Sequence, residues 1–142
     1  MSETKSPEKT GEQIFVENAD ECLSIIEKRA QELEITGAGM IAFVPGTETT
    51  TWVSKMKVMG RITDGNLNFC GVIYSKAAEM AITLKDSGNE SRKDIIGELG
   101  WQGGVIIKVK SGYLLGAFSG GSGEQDVESA RKGLEWLAQK YQ

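Results

Sequence analysis

Histidine is absent from the 142 residues. That removes the commonest general base near neutral pH and the commonest metal ligand, and it excludes any Ser-His-Asp or Cys-His scheme. Proton transfer is left to a carboxylate, lysine or tyrosine whose pKa the fold has shifted. Cysteine is scarce too. Cys22 and Cys70 stand far apart in segments that read as helical, without the paired spacing of a zinc or redox CxxC site, so both are expected to be buried thiols. No stretch approaches the roughly 18 consecutive apolar residues of a membrane span. Met1 to Gln13 is polar and mixed in charge, with no apolar run of signal-peptide length. A soluble, cytoplasmic protein without a membrane partner is the expectation. A basic stripe is also missing: 16 basic and 20 acidic residues are interspersed for a net charge of -4, which leaves nothing to neutralise a phosphate backbone and no nucleic acid partner.

What is present suits one compact domain. A chain of this length typically buries about 70% of the surface its unfolded form exposes, so its core needs neither disulfide nor metal. Residues 1–13, rich in Ser, Thr, Glu and Lys, read as a disordered arm, and residues 14–142 as the folded domain. Ile14-Phe15-Val16 suggests a short strand or packing plug. Asn18 with Glu21 has the spacing of a capping box and predicts a helix start, after which Leu23, Ile26, Ala30 and Leu33 form one apolar face. Gly37 and Gly39 end that helix. Met40 to Val44 is a short apolar run suited to the interior of a sheet, and Pro45-Gly46 stops it.

Thr49 to Met59 alternates with period two from Trp52 onward, its lysines Lys55 and Lys57 pointing to water, and predicts a strand hairpinned to the first. Asp64-Gly65 marks a turn. Phe69, Val72, Ile73, Lys76, Ala77, Met80 and Leu84 then share one helical face, in which Lys76 is the odd member. It either snorkels along apolar surface or meets a ligand or carboxylate. Ser87-Gly88-Asn89 closes the helix. Ser91 to Leu99 has room for one helical turn around Ile95, Ile96 and Leu99, and Gly100 to Gly104 reads as a flexible joint. Val105 to Val109 and Tyr113 to Ser119 form a second hairpin about Ser111-Gly112. Ser122 and Gln125 give another capping box, with Val127, Ala130, Leu134, Leu137 and Tyr141 as the inner stripe of a last helix.

The order helix, hairpin, helix, hairpin, helix implies a single α+β domain in which amphipathic helices cover a mostly antiparallel sheet. No βαβ alternation, internal repeat or low-complexity block appears.

Chemistry concentrates at the bend between the last strand and the last helix. Backbone N–H groups at a helix start lack internal partners and sit at the positive end of its dipole, so Gly120, Gly121, Ser122 and Gln125 have the makings of an anion cradle. The competing reading is a tight turn, with Ser122 as a simple cap and Glu124 and Asp126 already supplying the negative charge. Asp126 and Lys76 are expected to pair, to orient a ligand, to move a proton, or as a structural ion pair. That leaves a small-ligand-binding domain, an oligomeric scaffold or accessory subunit, and a Lys/Asp-dependent enzyme as the three readings.

The run Leu115-Gly116-Ala117-Phe118-Ser119-Gly120-Gly121-Ser122-Gly123-Glu124-Gln125-Asp126, followed by Ala130, Gly133 and Leu134, resembles the closing signature of the GlcG/HbpS-like family, also called DUF336 or the haem-degrading-like domain. Lys76-Ala77 is similar to its Lys-Ala pair, and Gly103-Gly104-Val105 to the start of its last hairpin. The resemblance implies a small domain with an antiparallel sheet, homo-oligomeric assembly and, in some members, haem or corrinoid-related binding. The bend and the pair together make Lys76, Ser119, Gly120, Gly121, Ser122, Gln125 and Asp126 the candidate ligand-binding set, with no metal site expected. The chain departs from the pattern at Pro45-Gly46-Thr47 and at Lys55-Met56-Lys57. Without histidine, haem iron would fall to Met, Cys, Tyr or Lys, which disfavours haem.

Overall fold

The computed structural model describes residues 8–142. Helix α1 (Gly11–Glu32) leads into strands β1 (Gly37–Pro45) and β2 (Val53–Met59). Helix α2 (Phe69–Thr83) connects through a long loop to β3 (Gly104–Val109) and β4 (Gly112–Ser119), and α3 (Gly123–Ala138) ends in a 3₁₀ turn at Gln139–Tyr141. The strands form one sheet in the order β2-β1-β4-β3, antiparallel throughout. Both expected hairpins are present. The pairing that joins them, β1 against β4, sets Ala38 opposite Ser119 and Pro45 opposite Gly112.

Side chains alternate across this sheet and divide the core in two. Ile41, Phe43, Leu114 and Phe118 face α1 and α3 and pack with Phe15, Leu23, Ile26 and Leu134. Met40, Ala42, Leu115 and Ala117 face α2 and meet Phe69, Ile73, Ala77 and Met80. β1 is therefore buried on both faces, which is why its sequence is continuously apolar instead of alternating. Each large side chain so enclosed contributes about 1.5–3 kcal/mol. The lysines of β2 are exposed and reach across to α1, Lys57 to Glu27 at 2.8 Å and Lys55 to Asp20.

Three expectations are corrected. The first helix begins at Gly11, not behind Asn18. Its capping box is Thr10 with Gln13, and Ile14-Phe15-Val16 lie in helix, with Phe15 buried in the core. Asn18 instead donates to the Ile14 carbonyl inside that helix. Of the arm expected over residues 1–13, residues 1–7 lie outside the described residues, and Gly11 to Gln13 form the first helical turn. Second, α2 ends at Thr83, with Leu84 left-handed at φ 55°, so Ser87-Gly88-Asn89 lies beyond the helix.

Third, residues 91–99 hold no helix. Arg92 instead grips Glu98 through two parallel bonds of 2.8 and 2.7 Å, and Glu98 also accepts from the Ile95 amide. A charged fork on a carboxylate outcompetes one isolated helical turn, whose nucleation is costly. The loop is thereby stiffened with Ile95, Ile96 and Leu99 exposed. The joint expected at residues 100–104 has Gly103 and Gly104 buried beneath it.

Candidate functional site

At the end of the sheet where β4 runs out, three segments surround a hollow of about 460 Å³ that opens to solvent. Ser119, Gly120, Gly121 and Gly123 form one wall, Gly100, Trp101 and Gln102 a second, and Arg61, Asp64, Leu67 and Phe69 a third. Lys76 and Asp126 lie at its base. A larger hollow, about 730 Å³, lies at the opposite end of the sheet around Thr10, Phe43 and Tyr141. Its rim is Glu8 and Lys9, the first described residues, and it contains none of the candidate residues. The smaller hollow is where the sequence-predicted residues converge.

Lys76 is buried because its helix face is the core face, so its ammonium must find partners within the protein. Nζ donates to the Phe118 carbonyl at 2.7 Å and to Asp126 Oδ2 at 3.3 Å. The other carboxylate oxygen, Oδ1, accepts the Gly121 N–H at 2.9 Å. One buried ion pair thus ties α2, the last residues of β4 and the first turn of α3 together. Burial pushes the Asp126 carboxyl up to about 6, against the opposing pull of Lys76 and the Gly121 amide. Burial lowers Lys76, and Asp126 resists that shift.

Gly103 closes over the pair. Its φ is +124°, and a Cβ there would stand 2.3 Å from Lys76 Nζ and 2.8 Å from the Phe118 carbonyl oxygen. Gly120 closes the other side, where a Cβ would stand 2.0 Å from the Thr36 carbonyl oxygen. With two acceptors on its nitrogen and a backbone wall above it, Lys76 is placed to hold charge and not to attack a carbonyl.

The bend is less of an anion cradle than its sequence suggests. Gly121 N–H is taken by Asp126, Ser122 N–H by Gln125 Oε1, Gln125 N–H by Ser122 Oγ, and Asp126 N–H by the Ser122 carbonyl. Ser122 and Gln125 face each other in the capping box and do not line the hollow. Lys76, Ser119, Gly120, Gly121 and Asp126 do.

Sequence reasoning missed Arg61, Phe69 and Trp101 as wall residues. Arg61 lies with its guanidinium carbon 5.1 Å from the Phe69 ring centroid, and Nη2 is 3.5 Å from the Gly120 carbonyl oxygen. The available signal was punctuation: Gly60, Gly65, Gly100 and Gly103 all adopt positive φ and bracket the two loops. Cys22, buried as expected, has its thiol pushed up to about 12, whereas Cys70 is only partly buried.

No family model matches the sequence, and no curated protein matches it. Among solved structures, a PduOC–haem complex superposes with a TM-score of 0.61 at 16% identity, covering 84% of this chain and 91% of that one. Klebsiella pneumoniae protein ORFY, of the family DUF336, does so with a TM-score of 0.61 at 17% identity over 96% of each chain. HbpS gives 0.50 at 20% identity, covering 94% of this chain and 93% of that one. The chain shares their fold. The resemblance carried by Lys76-Ala77 and the closing glycine run is therefore found again in three dimensions, at the level of architecture.

The PduOC structure is a complex with haem, and the lining residues of this hollow test whether the same group fits here. Haem iron ordinarily takes an axial His, Cys, Met or Tyr. None of the 13 residues lining the hollow is of those types, and the amine of Lys76 is already engaged. The hollow does not fit a haem held through its iron. Among the described residues, no group of three or more carboxylate or thiol side chains is placed to hold a metal ion, and no helix is long and apolar enough to cross a membrane.

Proposed function

We propose that this chain is a small-ligand-binding domain that seats an organic anion in the hollow above Lys76 and Asp126. Of the two classes expected, anionic and tetrapyrrole- or corrinoid-like, the donor set favours the first. The observation that carries this reading is the combination of a 460 Å³ solvent-reachable space with a base of buried charge. Ligand sites are typically concave, partly apolar and furnished with a few convergent polar groups, and Leu67, Phe69 and Trp101 supply the apolar share here.

The test is thermal unfolding against a panel of small carboxylates and phosphates, with haemin and a cobalamin as the tetrapyrrole and corrinoid arms. A ligand at a hundred times its Kd stabilises the fold by about 2.7 kcal/mol, a rise of several degrees. Stabilisation by a carboxylate or phosphate supports the reading. Stabilisation by haemin alone, or by nothing in the panel, refutes it.

A second reading, an oligomeric scaffold or accessory subunit, draws on the exposed loop that carries Ile95, Ile96, Leu99 and Trp101. Self-association of the domain is part of both readings, and a monomer in light scattering at working concentrations counts against it. The unpaired thiols Cys22 and Cys70 support a reducing, cytoplasmic setting.

A further inference from the structure

Four arginines occur in the chain, and all are described. Arg29 pairs with Glu32 and Glu128, Arg92 with Glu98, and Arg131 with Asp86 and Glu135. Arg61 has no carboxylate within 4.0 Å among the described residues. Its guanidinium carries five N–H donors, and one of them reaches a single long contact, the Gly120 carbonyl oxygen at 3.5 Å. The side chain is nevertheless placed: it lies over the buried Phe69 ring at the rim of the hollow.

The other charges around this space are committed. Lys76 and Asp126 answer each other at the base. Asp64 lines the same wall, but its Oδ1 accepts the Asn66 and Leu67 amides, both at 2.7 Å, and holds the 64–67 turn. The amides of Gly121, Ser122, Gln125 and Asp126 are engaged within the capping box and its first turn. Among the charged side chains of this hollow, what remains for a ligand is a planar cationic fork at the mouth with Leu67, Phe69 and Trp101 around it.

We propose that Arg61 is the anion-reading residue of this hollow, and that its ligand is a monoanionic carboxylate carried on a flat apolar body. A guanidinium fork matches the two oxygens of a carboxylate, whereas a lysine at that place offers only a point charge. A flat body suits walls built from aromatic rings, and the carboxylate of Asp64 on the same rim disfavours a dianion. The inference rests on the hollow being a ligand site.

The experiment titrates the full chain, Arg61→Gln and Arg61→Lys with 2-naphthoate and with its uncharged counterpart 2-naphthamide. Amide and indole resonances are followed by nitrogen-edited NMR. The expected result is that 2-naphthoate moves the Trp101 indole and the Gly120 and Gly121 amides. Arg61→Gln then weakens its affinity by about tenfold or more, with Arg61→Lys between, while 2-naphthamide binds more weakly and equally to all three proteins. Equal affinity of the two probes for the unmodified protein, or no loss in Arg61→Gln, overturns the role of Arg61 and leaves the hollow as a binding site. Silence of those resonances toward both probes overturns the role of Arg61 for this ligand class, and the anion panel above then decides whether the hollow itself survives as a site. Arg61 is exposed, and unchanged melting of the two variants separates lost binding from lost folding.

Discussion

Lys76 Nζ stands 3.3 Å from Asp126 Oδ2 inside the protein, although the two residues are separated by 50 positions in the chain. Both side chains are almost fully buried, so each charge depends on the other and on the Phe118 carbonyl and Gly121 amide that complete the cluster. Removing either partner alone strands a charge. Asp126→Ala and Lys76→Ala are each expected to cost about 3–5 kcal/mol, while Lys76→Met with Asp126→Leu together costs less than the sum of the single apolar changes. Urea unfolding of the double-mutant cycle measures this, and strict additivity would show that the two groups do not act as a pair.

The same pair makes stability depend on pH. Asp126 has its folded pKa near 6, above its unfolded 3.8, so the folded state binds the extra proton. Its contribution, about 3 kcal/mol for a shift of this size, is complete below 3.8 and is lost as pH rises through 6. Lys76, whose folded pKa is lowered, contributes in the opposite sense: fully above 10.5, and lost as pH falls through its folded value. Glu98, held down to about 2 by Arg92, adds stability above 4.5 that disappears on acidification toward 2. Subtracting the profile of Asp126→Asn from that of the unmodified protein isolates the first of these. A difference that stays flat between pH 4 and 6 would contradict the assignment.

Gly103 separates Lys76 from the loop above it. Gly103→Ala places a methyl 2.3 Å from Nζ on a backbone with φ +124°, so about 1–3 kcal/mol of strain is joined by displacement of the ammonium. In a Lys76→Ala background the clash with Nζ is gone, those with the Phe118 carbonyl oxygen and Asp126 Cβ stay, and the cost of Gly103→Ala falls by the first share alone. An identical cost in both backgrounds would assign the effect to the backbone dihedral and the remaining contacts, with no share from the ammonium.

Loosening the Arg92 fork is expected to free the apolar loop without unfolding the domain. Arg92→Gln removes the two bonds to Glu98, so the Glu98 carboxyl rises from about 2 toward its ordinary 4.5, and the Ile95 amide, held by the same carboxylate, exchanges faster. Carboxyl-detected NMR titration and hydrogen exchange report the two effects. An unchanged Ile95 exchange rate would mean that the loop holds its shape by other contacts.

The start of α1 distinguishes two readings of one sequence. Thr10→Ala loses the cap that receives the Gln13 amide and costs about 1 kcal/mol. Asn18→Ala, inside the helix, costs about 0.5 kcal/mol or less. Thermal melts order the two, and the reverse order would place the helix start where the Asn18-Glu21 spacing suggested it.

That misplaced start shows how far local pattern reaches. Ile14, Phe15 and Val16 favour strand by type, yet Phe15 continues the apolar face of Ala19, Cys22, Leu23 and Ile26, and burial of that face against the sheet overrides intrinsic preference. The loop at 91–99 failed differently: its shape comes from Arg92 meeting Glu98, a contact between side chains that no periodicity encodes. The second capping box, both hairpins and the core face of α2 were legible because each depends on residues within a few positions of one another.

By itself, the sequence determined most element types and the absence of histidine chemistry, marked Lys76 as the odd member of an apolar face, and named Asp126 as its expected partner. Helical and strand periods, caps and turns are local properties of the chain, and a charged residue on an apolar face stands out against them. Only the tertiary structure decided that β1 and β4 pair, that the pair of Lys76 and Asp126 is buried with the Phe118 carbonyl and the Gly121 amide, and that Arg61, Phe69 and Trp101 wall the same space. Those are long-range outcomes of how helices pack on a sheet, and distance along the chain carries almost no information about them.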